Sequence, residues 1–330
     1  MKKVLALLLS AVMLLSLTTF AAAEDAGTLK VAVCIAEALG DLGFNDSADA
    51  GLQRLVQDYG VVGSVVECKS DASKYQSSLV DAAESNDVVV AVGWQFWDVL
   101  TAVAPEMPDT LFIFVDNGLD GVGENLLSIV YAENEGSFLA GYIAMKTSAT
   151  QTIGFVGGED SDTINNFWVG YKQGALYANA EGKVLEPVYA GDYESPDKGK
   201  ELATTLYSGG ADVVFAVAGK TGLGVFEAAK EQNKYAIGVD SDQKYIDPEH
   251  IICSMKKDIG GSIYNAVSMY LDDGVFDGGQ IWDADMTTGF VGIGYGDATM
   301  TQQVSDELKA EVDALTQKII SGEIVVESTR

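Results

Sequence analysis

The short β-branched runs of this chain end in loops that carry aromatic rings beside acidic or amide side chains. Gly40-Asp41-Leu42-Gly43-Phe44-Asn45-Asp46 follows the first run, Gly93-Trp94-Gln95-Phe96-Trp97 the third and Asp116-Asn117 the fourth. Further on, the corresponding loops read Gly157-Gly158-Glu159, Gly191-Asp192-Tyr193, Ala218-Gly219-Lys220-Thr221-Gly222 and Asp240-Ser241-Asp242. Rings stack on flat faces, and carboxylates take hydroxyl or N–H edges. The mixture therefore suits a small polar ligand with a flat face.

Catalytic patterns fare worse. Gly219-Lys220-Thr221 has the ending of a phosphate-binding loop, but Val214 stands where its first Gly belongs. It reads instead as a Gly-rich helix start that offers free N–H groups to a ligand oxygen. Gly292, Gly294 and Gly296 follow no βαβ unit and read as turn glycines. His250 is the only histidine and reads as an exposed turn residue in Asp247-Pro248-Glu249-His250, with no nucleophile elbow to join it. Asp240, Asp242 and Asp247 fail the EF-hand pattern, because Lys244, Tyr245 and Ile251 occupy required positions. A carboxylate pair for glycoside hydrolysis stays open, since with 49 acids some pair falls in any cleft by chance. No cofactor, no metal and no enzymatic activity are expected.

Composition agrees. Of 330 residues, 48% are hydrophobic and none lies in a low-complexity tract, which predicts a packed body long enough for two domains. The 49 acids against 20 bases give a net charge of -29 and argue against polymeric nucleic acid or an anionic membrane surface as partner. Cys34, Cys68 and Cys253 lie in apolar runs at no metal-binding spacing and are expected to be small buried hydrophobes.

The elements that must carry these loops alternate as β-branched runs and helical stretches, the pattern of parallel sheets covered on both faces. Strands are expected at 29–36, 65–68, 88–92 and 111–115, the last completing the first sheet, with helices at 48–59, 74–84 and 96–104; residues 126–131 lead into a helix at 133–146, where the chain leaves the first lobe. A second series follows. Its strands fall at 152–156, 184–189, 212–217, 235–239 and 251–254, and its helices at 164–180, 196–208, 222–232 and 259–271. A strand near 289–292 is expected to return to the first lobe, before a final helix at 305–320. Ligands of doubly wound sheets bind outside the carboxyl ends of the strands, where the loops above lie.

At the N-terminus, Lys2 and Lys3, an apolar run from Val4 to Leu17 and Ala21-Ala22-Ala23 read as a signal peptide over residues 1–23. The run is short of the roughly 20 residues that a membrane span takes. The mature chain is expected to be exported, with cleavage near Ala23. The first cysteine, Cys34, sits inside a strand, so a lipid-acceptor Cys at the cleavage point is missing.

Read together, these segments resemble the basic membrane protein family, the purine nucleoside receptor type of ABC transporter substrate-binding protein. Gly43-Phe44-Asn45-Asp46-Ser47-Ala48-Asp49-Ala50-Gly51 looks like the family's S-F-N-Q-S-x-x-x-G. Glu135-Gly136-Ser137-Phe138-Leu139-Ala140-Gly141, Tyr189-Ala190-Gly191-Asp192-Tyr193, Thr221-Gly222-Leu223-Gly224-Val225-Phe226, Gly238-Val239-Asp240-Ser241-Asp242-Gln243 and Ser254-Met255-Lys256-Lys257 match in order and spacing, over about Leu29 to Ile324.

The resemblance implies an α/β, two-lobed periplasmic-binding-protein type I fold. Residues 28–146 with 256–302 would form the first lobe, 147–255 the second, and 303–330 a C-terminal helix and tail. It implies hinge closure on a nucleoside, delivery to a membrane permease, and action as a monomer. The family's base-stacking rings fall on Phe44 and Tyr193. Asp116 matches the acid for a base edge, and Asp240 and Lys257 the pair for the ribose hydroxyls, helped by the backbone of Gly219. Asn45 and Asp46 sit in the first signature, and Trp94 is a cleft wall or a core ring. The family's acid late in strand 1 is replaced by Ile35 and Ala36, and its Gly-Gly before Thr by Gly219-Lys220. A sugar or furanone receptor of the same architecture is the alternative, and a nucleoside hydrolase the more distant one.

Overall fold

The computed structural model describes residues 28–330, so the expected signal peptide at residues 1–23 lies outside the described residues. Two sheets organise the chain. The first contains β1 (Lys30–Ile35), β2 (Val62–Glu67), β3 (Val88–Val92), β4 (Leu111–Val115), β5 (Leu126–Tyr131) and β12 (Ile281–Ala284), ordered β12-β5-β4-β3-β1-β2. All its pairings are parallel. After Lys30, β1 is buried throughout, as is the whole of β3, because helices α1 (Phe44–Tyr59), α2 (Ala72–Ser85) and α3 (Trp97–Val103) cover both faces.

The second sheet contains β6 (Thr152–Gly157), β7 (Lys183–Val184), β9 (Val213–Val217), β10 (Tyr235–Asp240), β11 (Ile251–Lys257) and β13 (Val291–Gly294), ordered β13-β11-β10-β9-β6-β7, with β8 (Val188–Tyr189) also on β6. Only β13 is antiparallel, on β11. Helices α4 (Glu133–Thr147), α5 (Asp162–Ala178), α6 (Pro196–Ser208) and α7 (Thr221–Gln232) serve this sheet, while α8 (Ile259–Asp273) packs on α1 and α9 (Asp306–Ile320) on α4. Strand order reverses between β1 and β3 in one sheet and between β6 and β9 in the other. Loops diverge at those points and leave crevices.

Three expectations are corrected. The strand expected at 289–292 to return to the first lobe forms at Val291–Gly294 and pairs with β11 of the second sheet; β12 makes the return instead. The boundary expected after Lys146 falls behind a helix that packs on the second lobe: α4 crosses α5 so closely that a Cβ on Gly141 would lie 1.9 Å from the Tyr171 carbonyl oxygen. A helix starting where the chain leaves a sheet belongs to whichever surface buries it, and sequence order alone assigns it to the wrong side. Finally, the strand expected at 184–189 breaks into β7 and β8. The backbone thus passes between lobes at 131–133, 257–259 and 284–291.

Candidate functional site

On the first lobe the site begins with Asp41. Its buried carboxylate accepts the backbone N–H groups of Gly43 at 3.0 Å, Asn45 at 2.8 Å and Asp46 at 3.1 Å, satisfying donors that a helix start leaves free. This anchor starts α1 at Phe44, four residues earlier than the periodicity predicts, and puts the Phe44 ring and the buried Asn45 in the cleft between the lobes. Asp46 does something else. Its carboxylate turns back onto the Gly40 and Leu42 N–H groups at 2.7 and 3.0 Å, so the expected ligand residue closes the loop and stays off the cleft wall.

The second lobe contributes Tyr193. A Cβ on Gly158 would come within 2.1 Å of the Tyr193 ring, so only glycine lets the ring lie against the backbone after β6. Thr221 fixes the loop: its N–H donates to the Tyr193 carbonyl at 3.0 Å, and its Oγ1 accepts from Ser195 N at 2.8 Å and donates to Asp192 Oδ1 at 3.0 Å. Gly219, with φ 53°, turns the backbone beside that ring. Lys220 leaves the turn toward Glu194, 3.5 Å away.

The two lobes meet at Lys257, the last residue of β11, 2% exposed. Its Nζ lies 2.7 Å from Asp116 Oδ1 and 3.5 Å from Asp240 Oδ1, the second an ion pair rather than a hydrogen bond, since that oxygen is buried without a hydrogen-bond partner. The rings of Phe44, Phe167 and Tyr131 surround the ammonium at 4.8, 5.1 and 5.5 Å. Burial works against the ammonium, but Asp116, Asp240 and Glu133 outweigh it and push Lys257 up to about 12. For Asp240, burial outweighs the lysine and pushes the carboxyl up to about 7.

All the expected residues except Asp46 therefore converge: Phe44, Asn45, Trp94, Asp116, Tyr193, Gly219, Asp240 and Lys257 line one cleft with about 600 Å³ of empty space, part of it open to solvent. Trp94 resolves as a rim residue, 40% exposed. The sequence reading missed Glu37. It lies two residues beyond β1, is 7% exposed, and lines the cleft where the resemblance expects an acid and finds Ile35 and Ala36. Its carboxylate accepts Gln95 Nε2 at 2.7 Å and Asn45 Nδ2 at 3.5 Å. Burial, reinforced by Asp41 and Glu194, pushes it up to about 7. The one available signal was an isolated acid immediately past a buried strand. Thr163 and Phe167, also missed, come from α5, whose sequence reads as ordinary covering helix.

His250 is bound by Asp247 at 3.0 Å in the turn before β11, off the cleft wall and half-buried where an exposed residue was expected. Cys34, Cys68 and Cys253 are buried free thiols. Among the described residues no cluster of His, Cys, Asp and Glu could hold a metal ion, and no helix is long and apolar enough to cross a membrane.

Comparison with known proteins places this architecture. Residues 28–330 match the family model of the ABC transporter substrate-binding protein PnrA-like (Bmp) family. Basic membrane protein A of Borreliella afzelii is 33% identical over 307 residues, covering 92% of each chain. The crystal structure of an ABC transporter system solute-binding protein from Aeropyrum pernix K1 superposes with a TM-score of 0.81 at 26% identity, covering 90% of this chain and 92% of that one. A solute-binding protein from Conexibacter woesei shares the fold with a TM-score of 0.74 at 24% identity, covering 92% and 99%. With its type I periplasmic-binding-protein fold, the chain belongs to the Bmp family of PnrA-like ABC transporter substrate-binding proteins.

Proposed function

We propose that the protein captures a purine nucleoside between its lobes, outside the cytoplasm, and presents it as a monomer to an ABC permease. The observation that carries this reading is the pairing of Phe44 and Tyr193, one ring from each lobe, in a cleft that ends at the Lys257–Asp116–Asp240 centre. A flat base held between the rings draws the lobes together, and ribose hydroxyls meet charged partners, whose hydrogen bonds contribute more than neutral ones. Asp116 and Glu37 are the acids for the base edge. Glu37, Asp41, Asp116, Asp240 and Glu194 outnumber Lys220 and Lys257, which favours an uncharged nucleoside over its phosphates.

Calorimetric titration with inosine, guanosine and adenosine tests the reading, with low-micromolar or tighter binding of at least one expected. Silence with all three, together with tight uptake of a sugar, overturns the nucleoside and leaves a receptor for another solute. Release of free base on incubation with inosine would instead mark a hydrolase.

A further inference from the structure

Thr163 stands in the first turn of α5 with its side chain in the cleft wall, 6% exposed. Behind it comes Arg330, which is not among the cleft-lining residues. Its Nη2 donates to Thr163 Oγ1 at 3.0 Å and to Glu133 Oε1 at 3.0 Å, while Nη1 donates to the Tyr131 carbonyl at 3.3 Å. The segment that delivers this guanidinium is pinned across α4 and α5. Asn134 Nδ2 donates to the Glu327 carbonyl at 3.1 Å, and Asn166 Oδ1 accepts Ser328 Oγ at 2.9 Å and Thr329 N at 3.1 Å. Asn166 also donates to Glu133 Oε2 at 2.8 Å, so both oxygens of this fully buried carboxylate are held.

A hydroxyl has one proton and two lone pairs, and a guanidinium can only donate. Arg330 therefore occupies a lone pair of Thr163, and the hydroxyl proton must point elsewhere. Among the described residues it meets no acceptor at hydrogen-bond distance. Other donors line the wall, among them the Tyr193 hydroxyl, the Trp94 indole N–H and the amides of Asn45 and Gln95; Thr163 differs in that a guanidinium behind it occupies one of its lone pairs. A heterocycle or sugar brings acceptor atoms as well as donors, and an acceptor buried without a partner loses binding free energy.

We infer that Thr163 is a ligand-contacting hydrogen-bond donor, selecting for an acceptor atom on the bound molecule, and that Arg330 is the positioning residue that turns the hydroxyl into the cleft. The inference rests on the cleft being a nucleoside site and adds a specificity determinant to it.

The test is calorimetry with inosine, guanosine and adenosine on the full chain, comparing wild type, Thr163→Val, Thr163→Ser, Glu133→Gln/Arg330→Met and the triple variant. The double variant removes the buried ion pair as a neutral unit and so avoids a stranded charge. Thr163→Val should bind about tenfold more weakly, the size of one lost hydrogen bond, and Thr163→Ser should restore binding to within about twofold. Glu133→Gln/Arg330→Met should lose a similar factor, with Thr163→Val adding under about twofold on top, because the hydroxyl is no longer aimed. Wild-type affinity in Thr163→Val overturns the donor role. Full additivity in the triple variant overturns the part given to Arg330. A wild-type protein that takes none of inosine, guanosine and adenosine overturns the functional reading and this inference with it, whereas binding unchanged by Thr163→Val sinks the inference alone.

Discussion

Asp116 and Asp240 leave the carboxyl ends of strands in different sheets, β4 and β10, each with left-handed backbone, φ 79° and 64°, and both reach the ammonium of Lys257. A positive φ in a non-glycine residue is uncommon, and aspartate is among the residues that tolerate it best. Here it turns each carboxylate away from the strand axis toward the seam between the lobes. The lysine comes from β11, next to the 257–259 crossing, so the charges that line the cleft also sit beside a passage of the chain between the lobes.

Removing the lysine should therefore damage more than binding. Lys257→Met leaves two buried carboxylates without their cation, and breaking a buried pair costs roughly 3–5 kcal/mol. Urea denaturation at neutral pH should show a loss of that order, and Asp116→Asn/Lys257→Met should recover part of it. A Lys257→Met protein of wild-type stability would mean that the cluster is solvated and carries no such energy.

Phe44→Ala and Tyr193→Ala should each weaken nucleoside binding about thirtyfold or more, since truncating a central aromatic anchor commonly costs about 2 kcal/mol or more. Tyr193→Phe should keep most of the affinity, because stacking uses the ring and not the hydroxyl. Equal losses in Tyr193→Phe and Tyr193→Ala would point to the hydroxyl as the recognition element.

Gly158→Ala offers a test of placement that leaves every charged group intact. The added methyl would sit 2.1 Å from a Tyr193 ring carbon, closer than any real contact, so the ring must move. Affinity should fall toward that of Tyr193→Ala, while the denaturation midpoint moves less than in Lys257→Met. Unaltered binding would show that the ring finds a second productive position.

How much of this was legible in the residues depended on whether the signal was local. The strand-end loops that carry Phe44, Tyr193, Asp116 and Asp240 could be found because buried runs end abruptly in Gly and acidic residues, and they do converge on one cleft. Asp46 misled because the acceptor it resembles and the loop clasp it forms use the same side chain; only the direction of the chain at Gly40 separates them. Helix α4 and strand β13 changed lobes because burial across a crossing is a long-range property that adjacent residues do not encode. Thr163 was invisible for the same reason, its role being set by Arg330, 167 positions away.

Glu37 makes the protein's stability depend on pH in a direction opposite to that of most carboxylates. Burial first, then Asp41 and Glu194, raise its folded-state value from 4.5 to about 7, while Asn45 and Gln95 donate to it without reversing the shift. A carboxyl raised on folding contributes stability that is fully present below its unfolded value and is lost as pH rises through its folded value. The window is thus about pH 4.5 to 7, and the full effect at pH 8 is on the order of 3 kcal/mol. Asp240 is also raised to about 7 by burial and slopes the same way, so wild type alone cannot isolate Glu37. Glu37→Gln can, because glutamine imitates the protonated acid at every pH. It should match wild type in urea denaturation at about pH 4, below the unfolded value, and exceed it at pH 8 by up to that amount. A difference that stays constant across this range would place Glu37 in contact with water, and its carboxylate would then be an ordinary ionised acid in the cleft.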